Sequence, residues 1–300
     1  MSVNLDNGYK ILYNIIVKYQ YSRSVFVMQD KISLAGDLGS GKSTVSNILI
    51  ERLGAEYYST GAIVRSIAEK HGMSVVELNV YMETHPEIDH EIDDGLKALS
   101  KLDKLLIIDS RMAWHFTEGT FKVYLSADPE TSALRIMNAN RVGEHAATLE
   151  ETVRETKARR ESEKKRYMTQ YGVDIKDLTN YSLVLDTSNA TPEEVAERLV
   201  ASFREWQEDK SIKSAYITPE RLYYPDDAAD TEEVSRLASL LESGESIPEV
   251  TVIESEGEFY LSSGLESALA YSFNMNTFIP VRLIKGEIDS NTYTKMKNSL

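Results

Sequence analysis

Apolar positions along the chain follow two patterns that alternate. Short, mostly apolar runs occur at residues 31–35, 55–60, 105–108, 121–125 and 181–186. Their length and bounding turn residues predict buried strands. Between them, apolar residues recur every three or four positions: Val45, Ile48, Leu49 and Leu53; Ile63, Val64 and Ile67; Leu96 and Leu99; Val195, Leu199, Phe203 and Trp206. That spacing predicts amphipathic helices. Gly54 and Gly72 stand where the first two should stop, and Ser74 with Glu77 and Thr148 with Glu151 read as capping boxes. Asp128 before Pro129 reads as an N-cap with proline in the first helical position, leading a helix through Arg135. Another helix opens over 86–93, a highly charged one runs from 148 to about Tyr171, and Thr191-Pro192 starts the helix that ends at Trp206. Apolar strands alternating with capped helices predict an α/β fold of three layers, a parallel sheet covered by helices on both faces.

The pattern changes near residue 209. Pro219, Pro225, Asp226, Asp227 and Asp230 mark loops, followed by a helix over 231–241 and a hairpin of strands 250–253 and 259–261 around Gly257. A short helix over 265–273 and a strand over 278–284 complete a small α+β unit. From 211 to 300 there are 7 Lys and Arg against 15 Asp and Glu, a net charge of −8. The expected organisation is an N-terminal extension (1–28), an α/β domain (29–208) and an α+β domain (209–300). A short helix is expected over 9–19, too short and too polar to span a membrane, and 1–28 lacks the layout of a signal peptide.

Composition narrows the chemistry. The 300 residues contain no cysteine, which excludes disulfides and cysteine-based metal sites or nucleophiles and is compatible with a reducing cytoplasm. The five histidines show no metal-ligand spacing. A net charge of −15 argues against a broad nucleic-acid footprint, though not against a small basic pocket.

One stretch carries chemistry at every fixed position. Gly36, Asp37, Leu38, Gly39, Ser40, Gly41, Lys42 and Ser43 fit the phosphate-loop pattern G-x-x-x-x-G-K-[ST], between a predicted strand and the helix that begins at Thr44. Glycines allow successive backbone N–H groups to turn onto a phosphate, and the helix start adds its positive end. Lys42 is expected to reach the β- and γ-phosphates of ATP, and Ser43 to hold Mg2+. Three further clusters suit a phosphate acceptor and its cover. Arg65 follows the second strand within 59–65; Asp109, Ser110 and Arg111 close the third strand, at the edge where open α/β sheets bind ligands; and Arg135, Arg141, Arg154, Arg159, Arg160, Glu163 and Arg166 lie on charged helices. Arginines surrounding a transferring phosphoryl group stabilise the charge spread over its oxygens. Taken alone, the third cluster reads equally as a solvated face, with Glu155–Arg159 and Glu161–Lys165 as ordinary i, i+4 pairs.

On residues 59–65, 86–93, 108–111, 161–167 and 171–178, the stretch 30–208 resembles the cytidylate kinases, in particular their short archaeal-type form. The resemblance implies a P-loop fold and transfer of the ATP γ-phosphate to CMP or dCMP. It implies acceptor-phosphate contacts by Arg65 and Arg111. Arg159, Glu163 and Arg166 match the family's Arg-x-x-x-acidic-x-x-Arg pattern for phosphate and pyrimidine recognition. Arg135 matches a cover arginine, and Thr60 a hydroxyl position near the base. Asp109 is placed to organise Mg2+ through water. Two departures stand out: Ser110 where the family usually has glycine, and Gly-Asp-Leu-Gly where Gly-Pro-Pro-Gly or similar is common. Residues from about 213 to 285 resemble, more weakly, the ParB/sulfiredoxin-like fold, but Leu265, Glu266, Ser267 and Ala268 replace its His, Arg or Cys. That unit is expected to fold without the chemistry and to pack against the first domain, hold a protein partner or self-associate. The alternatives are a P-loop kinase with another small acceptor, and an ATP-dependent switch carrying the C-terminal unit as its interaction module.

Overall fold

A computed structural model describes residues 30–138, 148–226, 228–289 and 292–295. The expected helix over 9–19, Arg141 and His145 fall outside the described residues. In chain order the elements are β1 (Lys31–Gly36), α1 (Lys42–Leu53), β2 (Glu56–Ser59), α2 (Thr60–Lys70), α3 (Val75–Met82), α4 (Pro86–Leu99), β3 (Leu106–Asp109), α5 (Ala113–Phe116), β4 (Thr120–Ser126), α6 (Pro129–Asn138), α7 (Leu149–Tyr171), β5 (Leu183–Asp186) and α8 (Pro192–Glu208). There follow β6 (Ser214–Ile217), β7 (Leu222–Pro225), α9 (Thr231–Glu242), β8 (Val250–Ser255), β9 (Glu258–Ser263), α10 (Leu265–Phe273), β10 (Ile279–Ile284) and β11 (Tyr293–Lys295).

The expected boundaries hold closely in the first 208 residues, because caps set them. Ser74 and Thr191 form complete capping boxes, and the Thr148 side chain accepts the Glu151 amide. Gly54 and Gly172 end their helices in the left-handed conformation, at φ 63° and 66°. Strands β2, β3, β1, β4 and β5 lie side by side, all parallel. Below one face, Ile32, Leu34, Val45, Leu49, Leu199, Phe203 and Trp206 pack α1 and α8 onto the sheet. On the other face, α4, α5 and α7 contribute Leu96, Leu99, Ala113 and Tyr167 against Leu106 and Ile108. Among the described residues, no helix is long and apolar enough to cross a membrane.

The expected boundary at 208/209 needs a different description. β6 pairs in parallel with β5, through Leu183–Ser214, Val184–Ala215 and Leu185–Tyr216, so β5, α8 and β6 form one β-α-β crossover. β10 then pairs antiparallel with β6, and a single eleven-stranded sheet runs from β2 to β11. The apolar cluster behind it is continuous too: Ala35, Tyr124, Tyr181 and Val184 from the first unit meet Leu222, Val250, Val252 and Phe259 from the second. Strands β6, β7 and β11 were not evident in the sequence. β6 and β7 are four residues each and flank Pro219, which opens a single 3-10 turn.

Candidate active site

The phosphate loop joins β1 to α1 at the carboxyl edge of the sheet. Gly36 sits at φ 142°, and a Cβ there would stand 2.2 Å from the Leu125 carbonyl oxygen on β4. Gly39, at φ 75°, would place a Cβ 2.4 Å from the Ser132 carbonyl oxygen. Both positions admit glycine alone. Gly41 is the N-cap of α1 and offers no side chain, which leaves the first-turn amides for an anion. Lys42 Nζ donates to the carbonyl oxygens of Asp37 at 2.7 Å and Gly36 at 3.2 Å. Burial, and then the neighbouring Arg111, push this ammonium down to about 7 against the pull of Asp109 and Asp37. A polyanion on the loop favours the charged form and opposes that shift.

Asp37, one of the departures from the family's loop, is a buried anchor. Its carboxylate accepts hydrogen bonds from Lys176 Nζ at 2.5 Å, the Tyr124 hydroxyl at 2.8 Å and the Ala127 amide at 3.0 Å. Arg160 Nη2 lies 3.6 Å away. Burial alone would raise this carboxyl, but Lys176 and Arg160 hold it well below the usual carboxylate range. It lines a small cavity of about 20 Å3 beside Gly36, which shares Leu38, Arg111 and Glu163 with the main cleft. The negative charge in the loop is therefore compensated by Lys176 and Arg160. Nothing in the sequence signals Lys176 for this part, since it acts across 139 positions.

The main cleft encloses about 520 Å3. It brings together Gly39, Ser40, Gly41, Lys42 and Ser43 from the loop, Thr60 and Arg65 from α2, Asp109 at the end of β3 and Arg111 just after it, and Arg159, Glu163 and Arg166 from α7. Gly36 and Thr44 do not line it; Gly36 supplies its carbonyl to Arg111 Nη1 at 2.8 Å. Asp109 ends β3 and accepts the Tyr57 hydroxyl of β2 at 3.0 Å, while its carbonyl lies 3.4 Å from the Thr60 hydroxyl. Ser110 is buried, and its hydroxyl accepts the Met112 amide at 3.2 Å, so the serine closes its own turn.

Glu163 organises two arginines. It accepts from Arg111 Nε at 3.0 Å and from Arg159 Nε at 3.2 Å. Burial works against its charge, but Arg111 and Arg159 prevail and hold it at about 2. Glu163 in turn raises Arg111 above its ordinary value despite burial. Arg166 donates to Asn79 Oδ1 and to the Tyr167 hydroxyl, both at 3.3 Å. Its Nε lies 3.6 Å from Asp89 Oδ2, and neither of those buried atoms has a hydrogen-bond partner among the described residues. Asp89 and Asp93 also line the cleft. Burial raises both carboxyls, against Arg166 for Asp89 and against the hydrogen-bonded Tyr171 hydroxyl for Asp93. They share the buried side of α4 with Leu96, at i, i+4 and i+7. Acids on an apolar helix face were the available signal for them.

Arg135 stands apart from this group. It lines a second cavity of about 420 Å3 with Gly39, Ser40, Gly41, Thr44, Thr187 and Val195. Its Nη2 donates to the Thr187 carbonyl at 2.7 Å and to that of Ser188 at 3.3 Å. The two cavities share Gly39, Ser40 and Gly41 of the loop, one bearing Arg65, Arg111, Arg159 and Arg166 and the other Arg135.

The model of the cytidylate kinase-like family matches residues 31–189, more than half of the chain. The chain belongs to that family. It is similar to a cytidylate kinase of Thermoplasma volcanium, 40% identical over 172 residues, 55% of this chain and 87% of that protein. It is 36% identical over 168 residues to a cytidylate kinase of Archaeoglobus fulgidus, covering 56% of this chain and 91% of the relative. A stretch of 178 residues, 59% of this chain, is 34% identical to part of an S-adenosylmethionine-dependent nucleotide dehydratase of Lacinutrix mariniflava, of which it covers 36%. The family match ends at residue 189, so α8 and β6 to β11 lie beyond it.

Proposed function

We propose that the protein transfers the γ-phosphate of ATP to the phosphate of CMP or dCMP, in the cytoplasm. The observation that carries the proposal is the convergence of the loop, Arg65, Arg111, Arg159 and Arg166 on one cleft. A phosphate oxygen of the acceptor attacks the γ-phosphorus in line, the bond to the β,γ-bridging oxygen breaks, and ADP leaves with its electron pair. The chain supplies position and charge, which is most of what such a transfer needs. In this reading the loop amides and Lys42 hold the β- and γ-phosphates, and Arg135 covers the donor from the second cavity. Arg65 and Arg111 clamp the acceptor phosphate, and Arg159 stabilises charge on the transferring group. Ser43 and Asp109 line the same cleft and fit Mg2+, which takes oxygen ligands from one or two side chains together with substrate phosphates. Bound there, the ion would neutralise charge on the phosphates.

Base choice follows from Asp89 and Arg166. Both residues line the cleft, where a carboxylate ion-paired side by side with a guanidinium, with no hydrogen bond between the facing atoms, suits an edge that offers an amino donor next to acceptors. Cytosine has that edge, with its N4 amino group, and Asp or Glu is the side chain that accepts from it. Uracil would turn an oxygen toward the carboxylate. For residues 209–300 we keep the degenerate ParB-like reading. Glu266, in the first turn of α10, sets a negative charge where a phosphate would need donors, so we propose no nucleic-acid role for the unit.

Arg65 offers a clean test of the acceptor assignment, because it makes no hydrogen bond or ion pair among the described residues. Arg65→Ala should lower kcat/KM for CMP by roughly 10- to 100-fold, the worth of one charge-assisted contact. The KM for ATP should stay within about twofold by the same argument. Steady-state kinetics with each substrate varied separates the two, and an equal rise in both KM values would remove Arg65 from the acceptor site.

A further inference from the structure

A chain of hydrogen bonds and ion pairs runs from the C-terminal unit to the phosphate loop. Arg221 is almost completely buried, at 1% exposure, in the turn between β6 and β7. It meets Asp186 at 3.6 Å and Asp128 at 3.5 Å, pairs with Glu258, and donates to the Gly257 carbonyl at 2.6 Å. Thr218, three residues before it, gives both its amide and its hydroxyl to Asp186 Oδ2. Asp186 closes β5 and is itself fully buried. Its other oxygen accepts the Ser188 hydroxyl at 2.7 Å, and Ser188 Oγ accepts the Asp128 amide at 2.9 Å. Between them, the Thr187 hydroxyl shares its one proton between the phosphate-loop carbonyl of Ser40 at 3.1 Å and the Ser126 carbonyl at 3.0 Å, while the Thr187 and Ser188 carbonyls hold Arg135. Thr187 and Arg135 line the 420 Å3 cavity.

We infer that Thr218 and Arg221 are positioning residues for the nucleotide-donor site: they fix the 186–188 turn, and through it Arg135 and the back of the phosphate loop. The inference rests on the reading of that cavity as the donor side. It assigns the C-terminal unit a part in the kinase reaction, as a brace outside the matched family region. Neither side chain lines either cavity, so neither touches a substrate. The geometry also makes the effect selective. Among the described residues, Arg65 and Arg166 make no hydrogen bond or ion pair with Thr218, Arg221 or the 186–188 turn, and Arg111 is held by Glu163 and by the Gly36 carbonyl at the start of the loop, not by Ser40 or the turn behind it. Loosening the 186–188 turn therefore acts on ATP before it acts on CMP.

Thr218→Val removes the hydroxyl with little change of volume, and Thr218→Ser keeps it. The expected result is a KM for ATP raised about tenfold in Thr218→Val, a KM for CMP within twofold, and recovery to near the parent values in Thr218→Ser, the size expected from one hydrogen bond to a charged group. Thr218→Ala, which deletes the same hydroxyl, is read in the same way if the valine variant does not fold. ATP binding followed by calorimetry without acceptor should show the same tenfold weakening. Unchanged KM for ATP in the folded variants, or equal rises for ATP and CMP, would overturn the inference. A parent protein that binds ATP but does not phosphorylate CMP would instead count against the acceptor assignment, and the calorimetric comparison would still decide the brace.

Discussion

Replacing Lys42 by alanine should abolish phosphoryl transfer while leaving the protein folded. The ammonium now rests on two loop carbonyls, and the substitution changes no residue of the apolar core. Burial already pushes it down to about 7, so the folded protein carries this charge at a cost. Its loss should leave the melting temperature unchanged within about 2–4 °C, the shift that roughly 1 kcal/mol produces in a chain of this class. Turnover is another matter. One electrostatic stabiliser removed from a developing transition state costs on the order of 10²- to 10³-fold. With Lys42 on both donor phosphates, as we propose, the loss should reach at least that level. Parallel melting curves and single-turnover rates check the two halves together. A folded variant with near-normal turnover would detach this loop from catalysis.

Cutting the chain after Asp209 should have the largest effect on stability. Strand β5 would lose its partner β6, leaving an unpaired edge along Leu183, Val184 and Leu185. The shared cluster would lose Leu222, Val250, Val252 and Phe259, uncovering the Tyr124, Tyr181 and Val184 side. At about 1.5–3 kcal/mol for each large apolar side chain uncovered, three such losses use up much of the roughly 5–15 kcal/mol that holds a typical domain. Asp186 would also lose Thr218 and Arg221. The truncated protein is expected to aggregate or to unfold below ordinary temperatures, as judged by size-exclusion chromatography and thermal melting. A soluble, fully active product ending at Asp209 would show that the sheet continuity is incidental to the kinase unit.

These two cases also mark what the sequence could tell. The phosphate loop was legible because its pattern is local: strand, glycines, lysine and helix follow one another without interruption over residues 31–53. Arg65, Arg111, Arg159, Glu163 and Arg166 were legible through the family resemblance, and the fold gathers them in one cleft. Arg135 was expected as a cover residue from the resemblance alone, and its place in the second cavity, held by the 187–188 turn, was not legible. Asp37 read as a departure from the family's loop; its partners Lys176 and Tyr124 come from other elements, and no short-range pattern links them. The continuity of the sheet past residue 209 was hidden for a related reason. Composition does shift there, but β6 is only four residues and follows α8 in the same crossover. Strand pairing across a helix leaves no mark in composition. Asp89 and Asp93 did leave one, as acids on the buried side of α4.

The central claim is that this cleft phosphorylates a cytosine nucleotide with ATP. The measurement that tests it most directly is ADP formation from Mg-ATP in the presence of each common nucleoside monophosphate in turn, with the diphosphate product quantified alongside. The account predicts ADP and CDP, or dCDP, in equal amounts with CMP or dCMP as acceptor. It predicts UMP turnover lower by at least tenfold in kcat/KM, the loss expected when a buried carboxylate faces an oxygen instead of an amino group. ADP release that does not depend on acceptor, or equal use of UMP and CMP, would contradict it.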